Sequence, residues 1–124
     1  MSATKSNGAW VLVLVMSAIG ALAQPSFGQT VSPLRGEVFI AGKSPVDPPS
    51  EEPKNSHAYV TVSGPAALRM YQAMRAKEEP NLCTSGKLKR AGALVCSISA
   101  DRRRGTCDFS IDLTKGALDA GRPC

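Results

Sequence analysis

The chain has 124 residues, which leaves room for a single domain at most. Its 15 Lys and Arg residues outnumber its 10 Asp and Glu residues, and the formal net charge of +5 favours acidic partners without being large enough to specify one. The glycines form neither of the phosphate-binding loop patterns, so the sequence gives no sign of a nucleotide-dependent enzyme.

Residues 1–23 have the pattern of a cleaved export signal. Lys5 supplies a positive charge, an apolar run follows to Ala23, and Ala21-Leu22-Ala23 has the small residues that signal peptidase requires before its cut. A membrane anchor is the alternative, but the apolar run is roughly 15 residues long, short of the ~20 that span a bilayer. We therefore expect a periplasmic or secreted protein without a membrane anchor, beginning at Gln24 or shortly after a second small-x-small site at Ser26-Phe27-Gly28.

Residues 24–56 are expected to precede the compact domain. They contain one candidate strand, Leu34–Ala41, whose β-branched and aromatic residues favour extended structure although they alternate poorly. The stretch 42–56 follows, with four prolines within nine positions, and prolines at this density cannot join a helix or an inner strand. This stretch predicts an exposed linker; its Pro-x-x-Pro spacing would also suit a partner domain.

The compact domain is predicted to span residues 57–124 and to begin with a strand and a helix. Ala58–Val62 alternates and is rich in strand-forming residues. Pro65 then fits the first turn of a helix, where no hydrogen bond is lost. The helix should end by about Glu79, because Pro80 disfavours helical dihedrals in the residue before it. Its apolar face is formed by residues spaced by three and four: Ala67, Met70, Tyr71 and Met74.

Two alternating segments after the helix predict a β-hairpin. Leu94, Cys96 and Ile98 share one face of the first strand, and Cys107, Phe109, Ile111 and Leu113 share one face of the second. A register that places Cys96 opposite Cys107 also places Leu94 opposite Phe109, so that the apolar residues lie on the same side. The sequence thus predicts an α+β fold, a small, mainly antiparallel sheet with one helix packed on one face.

All four cysteines lie in the expected mature part, which predicts a disulfide-stapled domain. A zinc site is the alternative, but no two cysteines have the spacing of two to four residues that structural zinc sites require. The hairpin register pairs Cys96 with Cys107 and leaves Cys83 for Cys124, one of three possible pairings. These bridges should be structural, since no Cys-x-x-Cys motif indicates redox exchange.

No residue set predicts catalysis, a metal site or a cofactor. His57 is the only histidine, no Gly-x-Ser-x-Gly elbow accompanies it, and we expect it to lie on the surface at a strand edge. The aspartates do not form a calcium-binding loop, and the hairpin period predicts that Asp108 and Asp112 face solvent. Enzyme activity is therefore not expected.

The run Arg102-Arg103-Arg104, on the hairpin turn, is the candidate contact surface. Arginine presents a planar fork that suits carboxylates and phosphates, so the run predicts contact with an acidic protein or an anionic envelope component. The alternative is a solubilising turn that also keeps sheet edges from pairing. Nucleic acid is not expected, because no aromatic residues interleave with the basic ones.

Two functions remain open at this point. The first is a small, non-enzymatic binding module of the cell envelope, acting by surface contact. The alternative is a proteinaceous inhibitor of an extracytoplasmic hydrolase, in which the arginine turn would enter the target's cleft. The positive charge of the chain would oppose a basic target, so an inhibitor of this charge requires an acidic enzyme.

Overall fold

The computed structural model describes residues 31–124, so the predicted signal and its cleavage sites lie outside the described residues. One antiparallel sheet of seven strands is present, in the order β1-β2-β6-β5-β4-β3 with β7 paired to β6, together with one helix. The predicted α+β class is confirmed, with a larger sheet than expected. The elements are β1 (Arg35–Ala41), β2 (His57–Ser63), α1 (Pro65–Ala73), β3 (Glu79–Pro80), β4 (Lys87–Ala91), β5 (Leu94–Ile98), β6 (Gly105–Asp112) and β7 (Ala117–Asp119).

Within residues 31–124, no helix has the length and apolar character needed to cross a bilayer.

The sheet begins at β1, upstream of the boundary expected at residue 57. This strand pairs with β2 along its whole length, from Arg35 opposite Ser63 to Ala41 opposite His57. Most of residues 45–55, in the proline-rich connection that follows, are exposed, as predicted. The start of the connection is held against the domain, because the Tyr59 hydroxyl donates hydrogen bonds to the carbonyls of Gly42 and Lys43, each at 2.9 Å. The strand and the connection therefore belong to the same folded unit as the rest.

Helix α1 starts where the sequence predicts and ends earlier. Pro65 occupies the first turn, and the helix stops at Ala73, where Met74 turns to extended backbone. The ammonium group of Lys89 donates hydrogen bonds to the carbonyls of Tyr71 and Met74, at 3.0 and 2.9 Å. Within the described residues, the Tyr71 carbonyl otherwise accepts only from the Met74 nitrogen at 3.3 Å. A cation at this position supplies donors to carbonyls at the end of the helix, and it opposes the negative end of the helix dipole.

The core lies between α1 and strands β2, β5 and β6. Its buried residues are Val62, Ala66, Ala67, Tyr71, Cys96, Ile98 and Cys107. The helix approaches the sheet so closely that a Cβ atom on Gly105 would lie 2.9 Å from the backbone nitrogen of Leu68. The absence of a side chain at this position allows that contact.

The hairpin register and both disulfides are as predicted. Cys96 lies opposite Cys107 with a Cα–Cα distance of 4.0 Å, and the register continues from Val95 opposite Asp108 to Ile98 opposite Gly105. Cys83 is bonded to Cys124 with a Cα–Cα distance of 6.1 Å.

Three strands of the sheet were not predicted: β3, β4 and β7. Strand β4 pairs with β5 through a tight turn at Gly92, whose φ of +58° suits glycine. Strand β7 pairs with the second half of β6, beyond the end of β5. Residues 120–124 then cross the sheet face opposite the helix, where the Ser110 hydroxyl donates to the carbonyl of Ala120 at 2.6 Å. We call residues 120–124 the C-terminal strap.

Candidate functional site

The turn between β5 and β6 is held by its own hydrogen bonds. The backbone nitrogens of Ser99 and Arg102 donate to the carbonyls of Arg104 and Ser99 respectively, each at 2.9 Å. The carboxylate of Asp101 accepts from the Ser99 hydroxyl and from the backbone nitrogen of Arg103. These hydrogen bonds lower the pKa of Asp101 below its ordinary value. The turn, Ser99–Arg104, is therefore a preorganised loop, with the Cys96–Cys107 bridge at its base.

The three arginines of this turn have different environments. The guanidinium of Arg102 donates to both carboxylate oxygens of Glu78, at 2.7 and 3.2 Å. Arg103 and Arg104 are exposed, and neither forms an ion pair with another residue of 31–124. The predicted three-residue contact surface thus contains one arginine engaged within the chain and two whose guanidinium groups can meet a partner.

The partner of Arg102 is itself part of a larger network. The Tyr71 hydroxyl donates to the Glu78 carboxylate at 2.6 Å. The hydrogen bonds from Arg102, and then that from Tyr71, lower the pKa of Glu78, while burial and Glu78 raise the pKa of Tyr71 to about 12. Because Glu78 offsets the charge of Arg102, the positive potential of the turn comes from Arg103 and Arg104.

A groove of about 550 Å³ lies beside the turn, between it and the β3–β4 connection; we call it the polar groove because most of its lining residues are of polar type. Its lining residues are Asn81, Thr84, Ser85, Gly86, Ser97, Ile98, Ser99, Ala100, Asp101, Arg104, Gly105 and Thr106. Arg104 is the one cation in this lining, and the Asp101 carboxylate is engaged by its own turn. Hydroxyl and amide groups around one guanidinium suit an anionic group that carries several acceptor oxygens.

The groove wall formed by residues 81–86 is also fixed in place. The Cys83–Cys124 bridge fastens this connection to the C-terminal strap, and the backbone nitrogen of Asn81 donates to the carbonyl of Gly86 at 3.0 Å. A side chain on Gly86 would collide with the carbonyl of Ile98, so the connection packs directly on β5. A ligand would therefore meet a groove whose walls are largely pre-formed.

The basic residues of β4 do not extend this surface. Lys89 is used at the end of the helix and also lies 4.6 Å from the centre of the Tyr71 ring. Arg90 forms an ion pair with Glu79 at 3.6 Å. Lys89 and Arg90, together with Lys87, belong to β4.

His57 is buried, with 5% of its surface exposed, and the expectation of a surface histidine was wrong. Its Nδ1 lies 2.9 Å from the Ser56 hydroxyl, and its Nε2 lies 3.5 Å from a carboxylate oxygen of Asp119. Serine, histidine and aspartate are the residue types of a hydrolase triad; here the ring is enclosed and lies outside the polar groove, and its Nε2 has no hydrogen-bond partner within residues 31–124. The contact between His57 and Asp119 joins β2 and β7 on the sheet face opposite the helix.

No sequence motif predicts the groove wall formed by residues 81–86. Thr84, Ser85 and Gly86 form a short polar loop of a kind that usually signals only a turn. The signal that could have indicated it is the predicted bridge at Cys83, because a covalently fixed polar loop is well suited to a binding surface. The partner of Arg102 is 24 residues away in the chain, and no local pattern indicates that contact.

Residues 31–124 contain no group of three or more His, Cys, Asp or Glu side chains placed to hold a metal ion. No protein-family model matches the chain, and neither a curated protein nor a solved structure shows significant similarity to it.

Proposed function

We propose that this protein is a small, non-enzymatic binding module of the cell envelope, periplasmic or secreted, that takes an anionic group of its partner between the polar groove and the arginine turn. The two disulfide bonds support a place in an oxidising compartment, where such bridges persist. The partner is an acidic protein or an anionic component of the envelope. Both carry carboxylate or phosphate groups, which is the chemistry this surface fits.

The observation that most strongly supports this proposal is that the three arginines of the turn have different environments. Arg102 is paired with Glu78, while Arg104 lines the groove and Arg103 is exposed beside it. Neither Arg103 nor Arg104 forms an ion pair within 31–124, although the charge of Arg104 helps to lower the pKa of Asp101. Adjacent like charges repel one another on a turn and give no gain in folding. Two such cations next to a hydroxyl-lined groove favour recognition of an anion over a purely solubilising role.

The test is a double variant, Arg103→Ser with Arg104→Ser, compared with a control that removes the same charge elsewhere. Lys43→Ser with Lys115→Ser is that control, because both lysines are exposed and lie outside the groove. Binding to vesicles that contain anionic lipid, and to polyglutamate, is measured at low and high salt. We expect the arginine variant to bind both probes at least about fivefold more weakly, and high salt to reduce the difference, because salt screens exposed charges.

Equal loss in the arginine variant and the lysine control would show that net charge alone matters, and the groove would then have no role. Retention of binding by the arginine variant at low salt would leave the turn as a solubilising device. Loss on vesicles but not on polyglutamate, or the reverse, identifies which source of anionic group the surface takes.

An inhibitor of an extracytoplasmic hydrolase is the second candidate, favoured by the rigidity of the turn. Ser99–Arg104 is fixed by internal hydrogen bonds and by the disulfide at its base, so little conformational entropy would be lost if it entered a cleft. The test is capture from envelope extract with the purified protein and with the Arg103→Ser, Arg104→Ser variant. An inhibitor should recover one dominant hydrolase, reduce its activity, and lose both effects in the variant; capture without inhibition rejects this candidate.

A further inference from the structure

The two ends of the strand order β1-β2-β6-β5-β4-β3 differ in a way that points to self-association; β7, which pairs only with β6, adds a third edge of three residues. Strand β3 forms one edge, and it is only two residues long and contains Pro80, which has no backbone donor. Strand β1 forms the other edge; it is seven residues long and pairs with β2 on one side only. A long, regular edge with free backbone groups is a template for another strand, and natural proteins usually block such an edge unless it is used.

The surface of β1 on the helix side is apolar and uncovered. Helix α1 packs against β2, β5 and β6, which leaves the side chains of the edge strand outside its cover. Val38 is 62% exposed and Ile40 is 50% exposed, although their cross-strand neighbours Val60 and Ala58 are half-buried and buried. A shallow groove of about 220 Å³ runs along this strand beside Val60 and Val62. At Gly36 the two backbones are so close that a Cβ atom would collide with the carbonyl of Thr61.

The opposite face of β1 carries a charge pair and an aromatic ring. Arg122, from the C-terminal strap, donates to the Glu37 carboxylate at 3.0 Å. The same guanidinium lies 5.4 Å from the centre of the Phe39 ring. Glu37 and Phe39 therefore share one cation, and all three groups are partly exposed at the sheet edge.

We propose that β1 pairs antiparallel with β1 of a second copy of this chain, about a two-fold axis at Val38. Val38 is the central residue of Arg35–Ala41, so all seven residues find a partner in this register. Ile40 of each copy then lies opposite Gly36 of the other, the one position of β1 that carries no side chain. Two sheets of this kind join into one, with the apolar side chains of both edges on the face that carries the helices.

Charge selects the same register. With the axis at Val38, Glu37 of one copy lies opposite Phe39 of the other copy. The ring of that Phe39 is in contact with Arg122 of its own chain. Each Arg122 then lies near two Glu37 carboxylates, one from each copy. An axis at Glu37 would instead place two carboxylates directly opposite one another, which is destabilising. An axis at Phe39 would place Glu37 of each copy opposite Ala41 of the other, away from the Phe39 ring and Arg122. Ile40 would then no longer lie opposite Gly36.

The experiment compares the purified, oxidised protein with two variants by sedimentation equilibrium. Val38→Lys places two ammonium groups together at the axis, while Val46→Lys adds the same charge at a residue of equal exposure (63% against 62%) away from the sheet. We expect a dimer for the wild type and for Val46→Lys, and at least about a tenfold rise in the dissociation constant for Val38→Lys, equal to about 1.4 kcal/mol. Circular dichroism checks that each variant is folded.

A cysteine at the axis provides a second measurement that does not depend on affinity. Under mild oxidation Val38→Cys should form a disulfide-linked dimer through residue 38, whereas Val46→Cys should remain monomeric on a non-reducing gel. A wild-type protein that stays monomeric up to about 1 mM overturns the proposal. A dimer that Val38→Lys leaves unchanged, or that Val38→Cys fails to cross-link, overturns it as well.

Discussion

The guanidinium of Arg102 and the carboxylate of Glu78 form a two-point contact between the hairpin turn and the segment that follows the helix. Arg102 has a φ of 60°, a left-handed conformation that costs an ordinary residue about 1–2 kcal/mol. The contact with Glu78, together with the hydrogen bonds inside the turn, holds the residue in that conformation. Arg102 is thus a structural part of the surface on which Arg103 and Arg104 are presented.

Glu78→Gln should loosen the turn with a small loss of stability. The amide keeps one acceptor but loses the charge that pairs with Arg102. The Arg102 side chain is 61% exposed and the Glu78 side chain 31% exposed, so solvent screens the pair and we expect the Tm to fall by no more than about 5 °C. Glu51→Gln, at an exposed loop residue, is the control and should leave the Tm unchanged. A larger loss for Glu51→Gln than for Glu78→Gln would contradict the role given to this pair.

The stabilising effect of Glu78 should disappear in acid. Because its pKa in the folded protein is below the ordinary 4.5, the unfolded chain takes up the proton first as the pH falls. The stabilisation is therefore fully present above 4.5 and is lost as the pH falls through the lower folded value. Denaturant unfolding of the wild type and Glu78→Gln should give curves that differ at neutral pH and converge in acid; a constant difference would rule out this linkage.

Tyr71 should ionise much later than a free tyrosine. Burial and the Glu78 carboxylate raise its pKa to about 12, and burial also raises the pKa of Tyr59. The stabilisation linked to the neutral Tyr71 hydroxyl is present below the ordinary value of 10.0 and is lost as the pH rises toward 12. Tyrosinate absorbance measured against pH should show a late step that Tyr71→Phe removes. A titration near the ordinary value in the folded protein would show that the hydroxyl is not held as described.

The two disulfides should differ in accessibility and in their effect on stability. Cys83 and Cys124 are exposed, whereas Cys96 and Cys107 are fully buried in the core, so mild reductant should open the first bridge and spare the second. Chain entropy gives about 4 kcal/mol for the longer loop and about 3 kcal/mol for the shorter one.

Replacement of each pair by alanine tests the balance between loop length and core packing. The buried pair also loses core contacts, so we expect it to cost more than the exposed pair, in spite of its shorter loop. Urea unfolding of both double variants measures the order. A greater loss for the Cys83, Cys124 variant would show that loop length outweighs packing.

Lys89→Met should destabilise the end of the helix. The change keeps most of the apolar stem but removes two hydrogen bonds to the carbonyls of Tyr71 and Met74, which predicts a loss of about 1–2 kcal/mol. Lys87→Met, on the same strand and exposed, is the matched control and should change the free energy of unfolding by about 0.5 kcal/mol or less. Equal losses for the two variants would mean that Lys89 has no special role at the helix end.

The parts of the fold that the sequence predicts are those with a strong local pattern. Period-two alternation around Cys96 and Cys107 is sufficient to define the hairpin register, and the first pair defines the second bridge by elimination. Strand β4 was not predicted because Leu88 is its one buried residue among charged neighbours. The partners of these charged residues, such as Glu79 for Arg90, lie on other elements.

The environment of His57 and Ser110 could not be predicted, for a different reason. Alternation places both residues on the face expected to meet solvent, and a sheet covered on one side would leave them there. The C-terminal strap and the connection after β1 cover this face instead, and burial of the two polar residues depends on these distant segments. The groove depends in the same way on a long-range contact, since its two walls meet only in the folded chain.

The order of the strands has a kinetic consequence. Strands β3 to β6 follow one another along the chain as a meander, so each closes a short loop on its neighbour and forms early at little entropic cost. Strand β2 must instead find β6 across the whole helix and meander, which makes this the slow, late step of folding. Pulse-labelled hydrogen exchange should show β5 and β6 protected before β1 and β2. Until that late step the free edge of β6 is open to strands of other chains, and the chain is then at its most vulnerable to aggregation.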